Sequence, residues 1–267
     1  MPEEKNVDQY STFLVNLPSK GKLYSEDSPL RDGVIEMKYG TTKEEDILLN
    51  RSYINKGIVF NKLLESLIVT KNIKIDDLVI GDLNTLIIET KKSMYGPTSN
   101  MKVKCPVCND EINFVFDINK LEVFEIPEDV EENSFEFTSS LKNKFTYHIL
   151  TQGENENLKK TIIKKNKLTN NGSRNVTLSD GLVQIIDAIN DDNNKSTIRD
   201  YIKNGKMSSI ESRELRKDIT KNTPDVDLAK RIECNNCSFY DYVDIPLDVN
   251  FFWNSGDDDR RYSRRNF

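Results

Sequence analysis

Apolar residues recur at helical spacing through the first hundred residues of the chain. A predicted helix from about residue 57 to 70 carries one apolar face, made of Ile58, Leu63, Leu64, Leu67 and Ile68. A second helix is predicted from Asp76 onward, and its apolar side chains indicate burial as far as Lys91, before Tyr95-Gly96-Pro97 ends it.

Shorter patterns precede these two helices. Pro18 and Gly21 predict a turn, and the run from Val34 to Tyr39 is typical of a strand. Thr41 or Thr42 can cap a short helix over residues 44–49, because Glu44 and Glu45 fall in its first turn, where the helix dipole favours acidic side chains.

Two short alternating segments surround each of two Cys-x-x-Cys sequences. Residues 101–104 lead into the first and residues 111–117 lead out, with Ile112, Phe114 and Phe116 at alternate positions. Residues 229–233 and 239–245 flank the second in the same way. The pattern predicts two hairpins, each presenting two thiols at its turn.

The four cysteines of these turns are the only ones in the chain: Cys105, Cys108, Cys234 and Cys237. A two-residue gap lets both thiolates of a turn face one ion, and four thiolates form the closed tetrahedral shell that structural zinc prefers. The sequence therefore predicts a structural zinc at a zinc ribbon. A redox Cys-x-x-Cys, disulfides, metal-free thiols and an iron–sulfur cluster are the alternatives.

More than a hundred residues separate the two turns, too many for a loop, so an inserted domain is expected. Two short strands at 134–138 and 144–150 predict a hairpin, and helices are predicted at 157–165, 180–189, 197–203 and 208–220, with a loop at 166–175. The basic face of the last helix, formed by Arg213, Arg216 and Lys217, is either solvated or meets an acidic partner.

These elements predict an α+β fold with a helical N-terminal region, four-cysteine zinc-ribbon hairpins and an inserted mixed α/β domain. The expected boundaries are an N-terminal region at 1–100, the ribbon at 101–126 and 229–253, the inserted domain at 127–228, and a flexible tail at 254–267. The aromatic block Phe251-Phe252-Trp253 either covers the core of the ribbon or docks into a neighbouring subunit.

Composition narrows the possible functions. The chain has 267 residues, 31% of them charged, and a net charge of −6, which disfavours nonspecific binding of nucleic acid. No run is long enough to span a bilayer and the start is unlike a signal peptide, so we expect folding in a reducing cytoplasm, no membrane partner, and cysteines that bind metal.

Catalytic patterns are not found in the sequence. His148 is the only histidine, and without a second one a histidine-based catalytic or metal site is not expected. Neither a P-loop nor G-x-G-x-x-G occurs. We therefore expect a protein that is not an enzyme and has no small-molecule substrate.

Four segments in order carry a resemblance, followed by the first cysteine turn. They are Leu17-Pro18-Ser19-Lys20-Gly21-Lys22-Leu23-Tyr24, Thr42-Lys43-Glu44-Glu45-Asp46-Ile47-Leu48, Lys62-Leu63-Leu64-Glu65-Ser66-Leu67 and Ile80-Gly81-Asp82. Together they resemble the T4-type (contractile-tailed) phage baseplate hub protein family, most closely over residues 13–125. The resemblance implies a structural subunit of the hub or inner baseplate, found in the virion tail, assembled in the host cytoplasm and bound to other baseplate proteins.

Two alternatives stay open beside that interpretation. An assembly factor or chaperone of the same apparatus would be absent from the finished particle. A zinc-ribbon protein that binds nucleic acid would need basic strands, whereas Glu111, Asp117, Asp241 and Asp244 lie on the predicted ribbon strands and would repel phosphates.

Overall fold

The structure is a computed structural model that describes residues 11–168 and 177–253. It begins with strand β1 (Thr12–Asn16), which pairs antiparallel with β2 (Val34–Lys38) and places Val15 opposite Ile35. The sequence predicts β2 and the turn after residue 16, but β1 was not predicted. The acidic start of the chain, residues 1–10, lies outside the described residues.

Three short helices follow: α1 (Thr42–Leu49), α2 (Arg51–Lys56) and α3 (Val59–Leu67). The capping prediction for α1 is confirmed, since the Thr41 side chain caps the helix and the Glu44 carboxylate returns to the Thr41 backbone N–H. The predicted helix at 57–70 is confirmed as the shorter α3, whose apolar face is buried. Helix α2 was not predicted.

The long helix α4 (Ile80–Tyr95) begins later than the sequence predicts. Residues Ile75–Asp77 form a separate 3-10 turn, and the chain is extended at Leu78 and Val79, both fully buried. The prediction of a helix starting at Asp76 was therefore wrong. Tertiary pairing is the reason: Val79 forms a β-bridge with Thr151, and the Leu78 carbonyl accepts a hydrogen bond from the Gln152 N–H at 2.7 Å.

After α4 the chain forms the first cysteine hairpin, from β3 (Thr98–Lys104) and β4 (Glu111–Asp117), paired antiparallel over their whole length. A short strand β5 (Val123–Phe124) then leads to a second hairpin, β6 (Phe135–Thr138) with β7 (Lys144–Tyr147). Both hairpins agree with the sequence predictions.

Helix α5 (Gln152–Leu168) starts earlier and ends later than predicted, so residues 166–168 are helical and not part of a loop. The rest of the predicted loop, 169–175, lies outside the described residues. Helix α6 (Leu178–Ile185) is followed at once by strand β8 (Ile186–Ile189), which pairs with β7. The prediction of helix through residue 189 was wrong: the β-branched Ile186 and Ile189 complete a three-stranded sheet in the order β6-β7-β8.

Helices α7 (Lys195–Lys203) and α8 (Ser209–Asn222) agree with the predictions. The chain then returns through β9 (Asp225–Val226), which pairs with β5, to the second cysteine hairpin, β10 (Ala229–Glu233) and β11 (Tyr240–Asp244). A 3-10 turn at Val249–Phe252 ends the described part of the chain.

The main core is one continuous set of buried apolar side chains, contributed by the N-terminal elements, by β6 to α8 and by the C-terminal aromatic block. Phe251 and Phe252 are each 1% exposed. Phe252 stacks on Phe60 of α3, and Phe251 meets Phe116 of β4 edge to face. These two rings therefore belong to the main core of their own chain and not to the apolar core under the cysteine turns. Docking of the block into a neighbouring subunit stays a prediction.

The fold is α+β, with small antiparallel sheets among helices, as the sequence predicts. The zinc-ribbon assignment and the domain boundaries stay predictions. The predicted flexible tail, 254–267, lies outside the described residues.

Candidate metal centre and buried polar networks

The structure brings the four cysteines of the two hairpins together. Their sulfur atoms all lie within 4.8 Å of one another. The closest contacts cross between the hairpins: Cys105 Sγ is 3.5 Å from Cys237 Sγ, and Cys108 Sγ is 3.6 Å from Cys234 Sγ. Cysteines that are separated by 132 and by 126 positions in the sequence thus meet at one point.

The two cysteine turns repeat one backbone geometry. In the first, the Cys105 N–H donates to the Asp110 carbonyl at 2.8 Å and the Asn109 N–H donates to the Cys105 carbonyl at 2.9 Å. In the second, Cys234 donates to Phe239 at 2.8 Å and Ser238 donates to Cys234 at 3.0 Å. Asn109 and Ser238 both have positive φ, at 60° and 56°. Each turn therefore points its two thiols to the same side.

The donor set fits a tetrahedral metal ion. A tetrahedron with metal–sulfur bonds of about 2.3 Å has sulfur–sulfur edges of about 3.8 Å. The cross-hairpin distances of 3.5 and 3.6 Å are close to that edge and far from the bond length of a disulfide. All four cysteines are free thiols. With four sulfur ligands there is no open position for water or substrate, so a bound ion would supply cross-linking and not catalysis.

The thiols themselves differ in acidity. Burial raises the pKa of Cys105, but hydrogen bonds from the backbone N–H groups of Cys108 and Val107, together with contacts to Cys237 and Cys108, outweigh it and bring the pKa to about 7. The pKa of Cys237 is raised: a backbone hydrogen bond at Phe239 opposes the rise, while desolvation and the three neighbouring sulfurs cause it. Four adjacent thiolates repel one another unless a cation compensates their charge.

A small second core lies under the cysteine turns and meets the main one through Val103 and Phe114. Its buried members are Cys105, Ile112, Ile232 and Cys234. Partly buried side chains from both hairpins surround it: Val103, Cys108, Phe114, Phe239 and Val243. So few apolar groups bury little area for four strands.

A buried carboxylate holds the Leu17–Tyr24 turn against helix α4. Asp82 is fully buried and accepts three hydrogen bonds: from the Ser19 N–H at 3.0 Å, from the Ser19 hydroxyl at 2.5 Å and from the Tyr24 hydroxyl at 2.5 Å. The Tyr24 oxygen in turn accepts from the Val79 N–H at 3.1 Å. Burial raises the pKa of Asp82 and is opposed by the hydrogen bonds from Ser19 and Tyr24.

Two glycines allow backbone segments to pack closely, one in the Leu17–Tyr24 turn and one at the start of α4. Gly21 has φ of 77°, and a Cβ there would lie 2.1 Å from the Arg31 carbonyl oxygen. A Cβ on Gly81 would lie 1.8 Å from the Pro224 carbonyl oxygen, where α4 meets the chain returning from α8. Any larger residue at either position would push backbone segments apart.

A second buried carboxylate joins α1 to β2 and α3. Glu44 is fully buried; it accepts hydrogen bonds from Thr41 and from the Ser66 hydroxyl at 2.6 Å, and it lies 3.2 Å from Lys38 Nζ. Burial alone would raise the pKa of Glu44, but the bonds from Ser66, Thr41 and Lys38 outweigh it and lower the pKa to about 2.

These two networks were not predicted as buried sites, although five of their residues lie in the four segments that carry the family resemblance. Ser19, Tyr24 and Asp82 come from the first and last segments, and Glu44 and Ser66 come from the second and third. The place of these residues in segments that carry the family resemblance is a sequence signal that could have indicated them.

One lysine is buried without a carboxylate near it. Lys91 on α4 is 1% exposed, and no carboxylate of the described residues lies within ion-pair distance of its Nζ. The ammonium donates to the Ser99 hydroxyl and lies 5.7 Å from the ring centroid of Phe251. Burial lowers the pKa of Lys91 to about 8.

His148 lies just after β7 and is packed between acidic side chains. Its Nδ1 is 2.7 Å from an Asp187 carboxylate oxygen and its Nε2 is 3.3 Å from Glu154. The hydrogen bond with Asp187 raises the pKa of His148, against the effect of burial. No thiol or hydroxyl nucleophile of the described residues is hydrogen-bonded to this ring.

Within the described ranges, no helix has both the length and the apolar character needed to cross a bilayer. The polar groups that are buried serve packing: they connect turns and helices, and the four thiols connect two hairpins. These features define an α+β protein with a four-thiol cluster that is compatible with a metal ion.

The family is shown by comparison. The chain belongs to the T4 bacteriophage base plate protein family, whose model matches residues 10–253. No curated protein and no solved structure gives a significant match. Membership confirms the resemblance and indicates a structural role in the phage baseplate, in the virion tail, in assembly with other baseplate proteins.

Proposed function

We propose that this chain is a structural subunit of the hub or inner part of the contractile tail baseplate. It acts through contacts with other baseplate and tail proteins, without a small-molecule substrate, after assembly in the host cytoplasm. The family match carries this proposal, because it extends from β1 through the second cysteine hairpin to the aromatic block at Phe251-Phe252-Trp253. The buried networks of Asp82 and Glu44 support a rigid supporting role.

We also propose that the fold binds a structural zinc ion through Cys105, Cys108, Cys234 and Cys237, at a zinc ribbon formed by the two hairpins. The tetrahedral spacing of the sulfurs and the small core beneath them support it. An ion that binds only the folded chain adds its binding free energy to folding. The hairpins gain from the ion the stability that their few apolar side chains do not supply.

The proposed place of the protein in the tail is tested by identifying the proteins of purified virions. Mass spectrometry of particles freed of lysate is expected to find the protein at a fixed copy number with the inner baseplate proteins. An assembly factor would instead appear in infected-cell extracts and assembly intermediates but not in the virion, and that result would contradict a structural role.

The link between the cysteines and assembly is tested by complementation. Phage that supply only the Cys105→Ser or Cys234→Ser chain should form few complete baseplates, because the hairpins separate. Val107→Ala is the matched control, since Val107 lies in the same turn with its side chain 67% exposed. Normal baseplates from both serine variants would contradict the proposed structural zinc.

A further inference from the structure

Strand β6 forms an open edge of the β6-β7-β8 sheet. It pairs with β7 on one side, and no described strand pairs with its other side. The Ser139 N–H donates to the Asn143 carbonyl at 2.9 Å where the hairpin closes. Hydrogen-bonded and non-bonded positions alternate in an antiparallel ladder, so Thr138 and Glu136 direct their backbone N–H and C=O groups away from β7.

Helix α8 forms the other wall of a groove beside this edge. The groove has a volume of about 890 Å³. Phe137, Thr138 and Ser140 line it on the strand side, and the helix contributes Arg213, Glu214, Arg216, Lys217, Asp218, Thr220 and Lys221. An extended segment in this groove would lie along the free backbone edge with its side chains against the helix.

In the described part of the chain, the groove has more cations than carboxylates, and only the cations are free to bind a partner. Both carboxylates are already hydrogen-bonded within the chain: Glu214 accepts from the Ser140 N–H at 3.0 Å, and Asp218 accepts from the Tyr147 hydroxyl at 2.7 Å. The four cations are exposed, and none has a carboxylate within ion-pair distance among the described residues. The groove is therefore a basic wall beside open backbone donors and acceptors, on a chain whose net charge is −6.

We propose that this groove binds an acidic, extended segment of another protein, which adds to β6 as a fourth strand. Main-chain hydrogen bonds to Glu136 and Thr138 would hold the backbone of the segment, and its carboxylates would meet Arg213, Lys217 and Lys221. A strand edge recognises a peptide backbone and not a phosphate backbone, which favours a protein partner over nucleic acid. That the partner is a neighbouring tail protein rests on the proposed function; the binding site itself does not.

The test measures binding of a labelled eight-residue peptide, in which Asp alternates with Val, to the full chain by fluorescence anisotropy. The peptide is expected to bind, and a peptide with Lys in place of Asp is not. The double variant R213E/K217E should weaken binding of the acidic peptide at least tenfold. Arg199→Glu is the matched control, an exposed charge reversal on α7 away from the groove.

Strand addition is tested separately by Thr138→Pro. This change removes one outward N–H while leaving the bonds between β6 and β7, and proline is tolerated at such an edge position. It should weaken peptide binding about tenfold, whereas Thr138→Val, which keeps the N–H, should not. Unchanged thermal unfolding of both variants shows that they fold, and slowed hydrogen exchange at Glu136 and Thr138 on peptide binding gives an independent measurement.

Three results would overturn the proposal. The first is no binding of the acidic peptide. The second is binding that Thr138→Pro does not weaken and that does not slow hydrogen exchange at Glu136 and Thr138, and the third is preferential binding of a single-stranded oligothymidylate that the R213E/K217E variant loses. The last would identify a nucleic-acid site. None of these results bears on the presence of the chain in virions, so the proposed function stands or fails separately.

Discussion

The Tyr24 hydroxyl donates to the Asp82 carboxylate at 2.5 Å, across 58 positions of sequence. We expect Tyr24→Phe to lower the free energy of unfolding by about 1–3 kcal/mol, because a buried carboxylate loses a donor and the Val79 N–H loses an acceptor. Urea unfolding measures the change. Tyr242→Phe is the control, since Tyr242 is 61% exposed. Equal stability of both variants would mean that the network is not formed.

Glu44 makes the stability of the fold dependent on acid. Its folded pKa of about 2 is below the ordinary value of 4.5, so its contribution is complete above pH 4.5 and is lost as the pH falls toward 2. Glu44→Gln should therefore lower the free energy of unfolding at pH 7 by about 3 kcal/mol and reduce the slope of stability against pH in that window. Asp46→Asn, an exposed change on the same helix, should do neither. Parallel profiles for Glu44→Gln and the parent chain between pH 2 and 5 would contradict the ionised network.

Lys91 should destabilise the fold at neutral pH, whereas Glu44 stabilises it. Its folded pKa is lowered from 10.5 to about 8, so burial of the charge costs stability below pH 8, and the cost disappears as the pH rises to 10.5. Lys91→Met removes a buried ammonium that has no carboxylate partner among the residues that the structure describes. It is expected to raise the free energy of unfolding at pH 7 by about 1–3 kcal/mol and to remove the increase in stability between pH 8 and 10.5. The control is Lys92→Met, which removes a partly exposed lysine paired with Glu89. A less stable Lys91→Met chain would refute this account of Lys91.

The C-terminal aromatic block should stabilise the chain itself. Phe252→Ala is expected to cost about 3–5 kcal/mol, because it opens a cavity against Phe60 and Tyr95. A chain ended before Asn250 should be destabilised similarly or more, as seen by thermal unfolding. A chain ended after Trp253 keeps both rings and should unfold like the parent, which separates the core role of the block from any role of residues 254–267.

Local patterns predicted much of the secondary structure, and long-range pairing accounts for the errors. The spacing of Leu63, Leu64 and Leu67 was sufficient to identify α3, and the cysteine spacing was sufficient to identify both hairpins. Ile186 and Ile189 fit a helical face as well as a strand, and only the partner strand β7 decides between them. Likewise Leu78 and Val79 leave the helix because Thr151 and Gln152 pair with them.

The candidate metal site could be predicted from local sequence patterns, but the buried polar networks could not. Four cysteines in two Cys-x-x-Cys pairs indicate one shared ion, because four thiolates complete the tetrahedral shell of a structural zinc. The buried positions of Asp82, Glu44 and Lys91 depend on which segments meet in three dimensions. A polar residue within a helix carries no local signal for that.

The metal content of the purified, reduced full-length chain tests the central claim most directly. Elemental analysis combined with native mass spectrometry is expected to find one equivalent of zinc per chain, and its loss in Cys105→Ser and Cys234→Ser together with a lower melting temperature, while Val107→Ala retains it. A metal-free parent chain that is as stable as the zinc-supplemented one would contradict the structural zinc. Iron in place of zinc would contradict the identity of the ion.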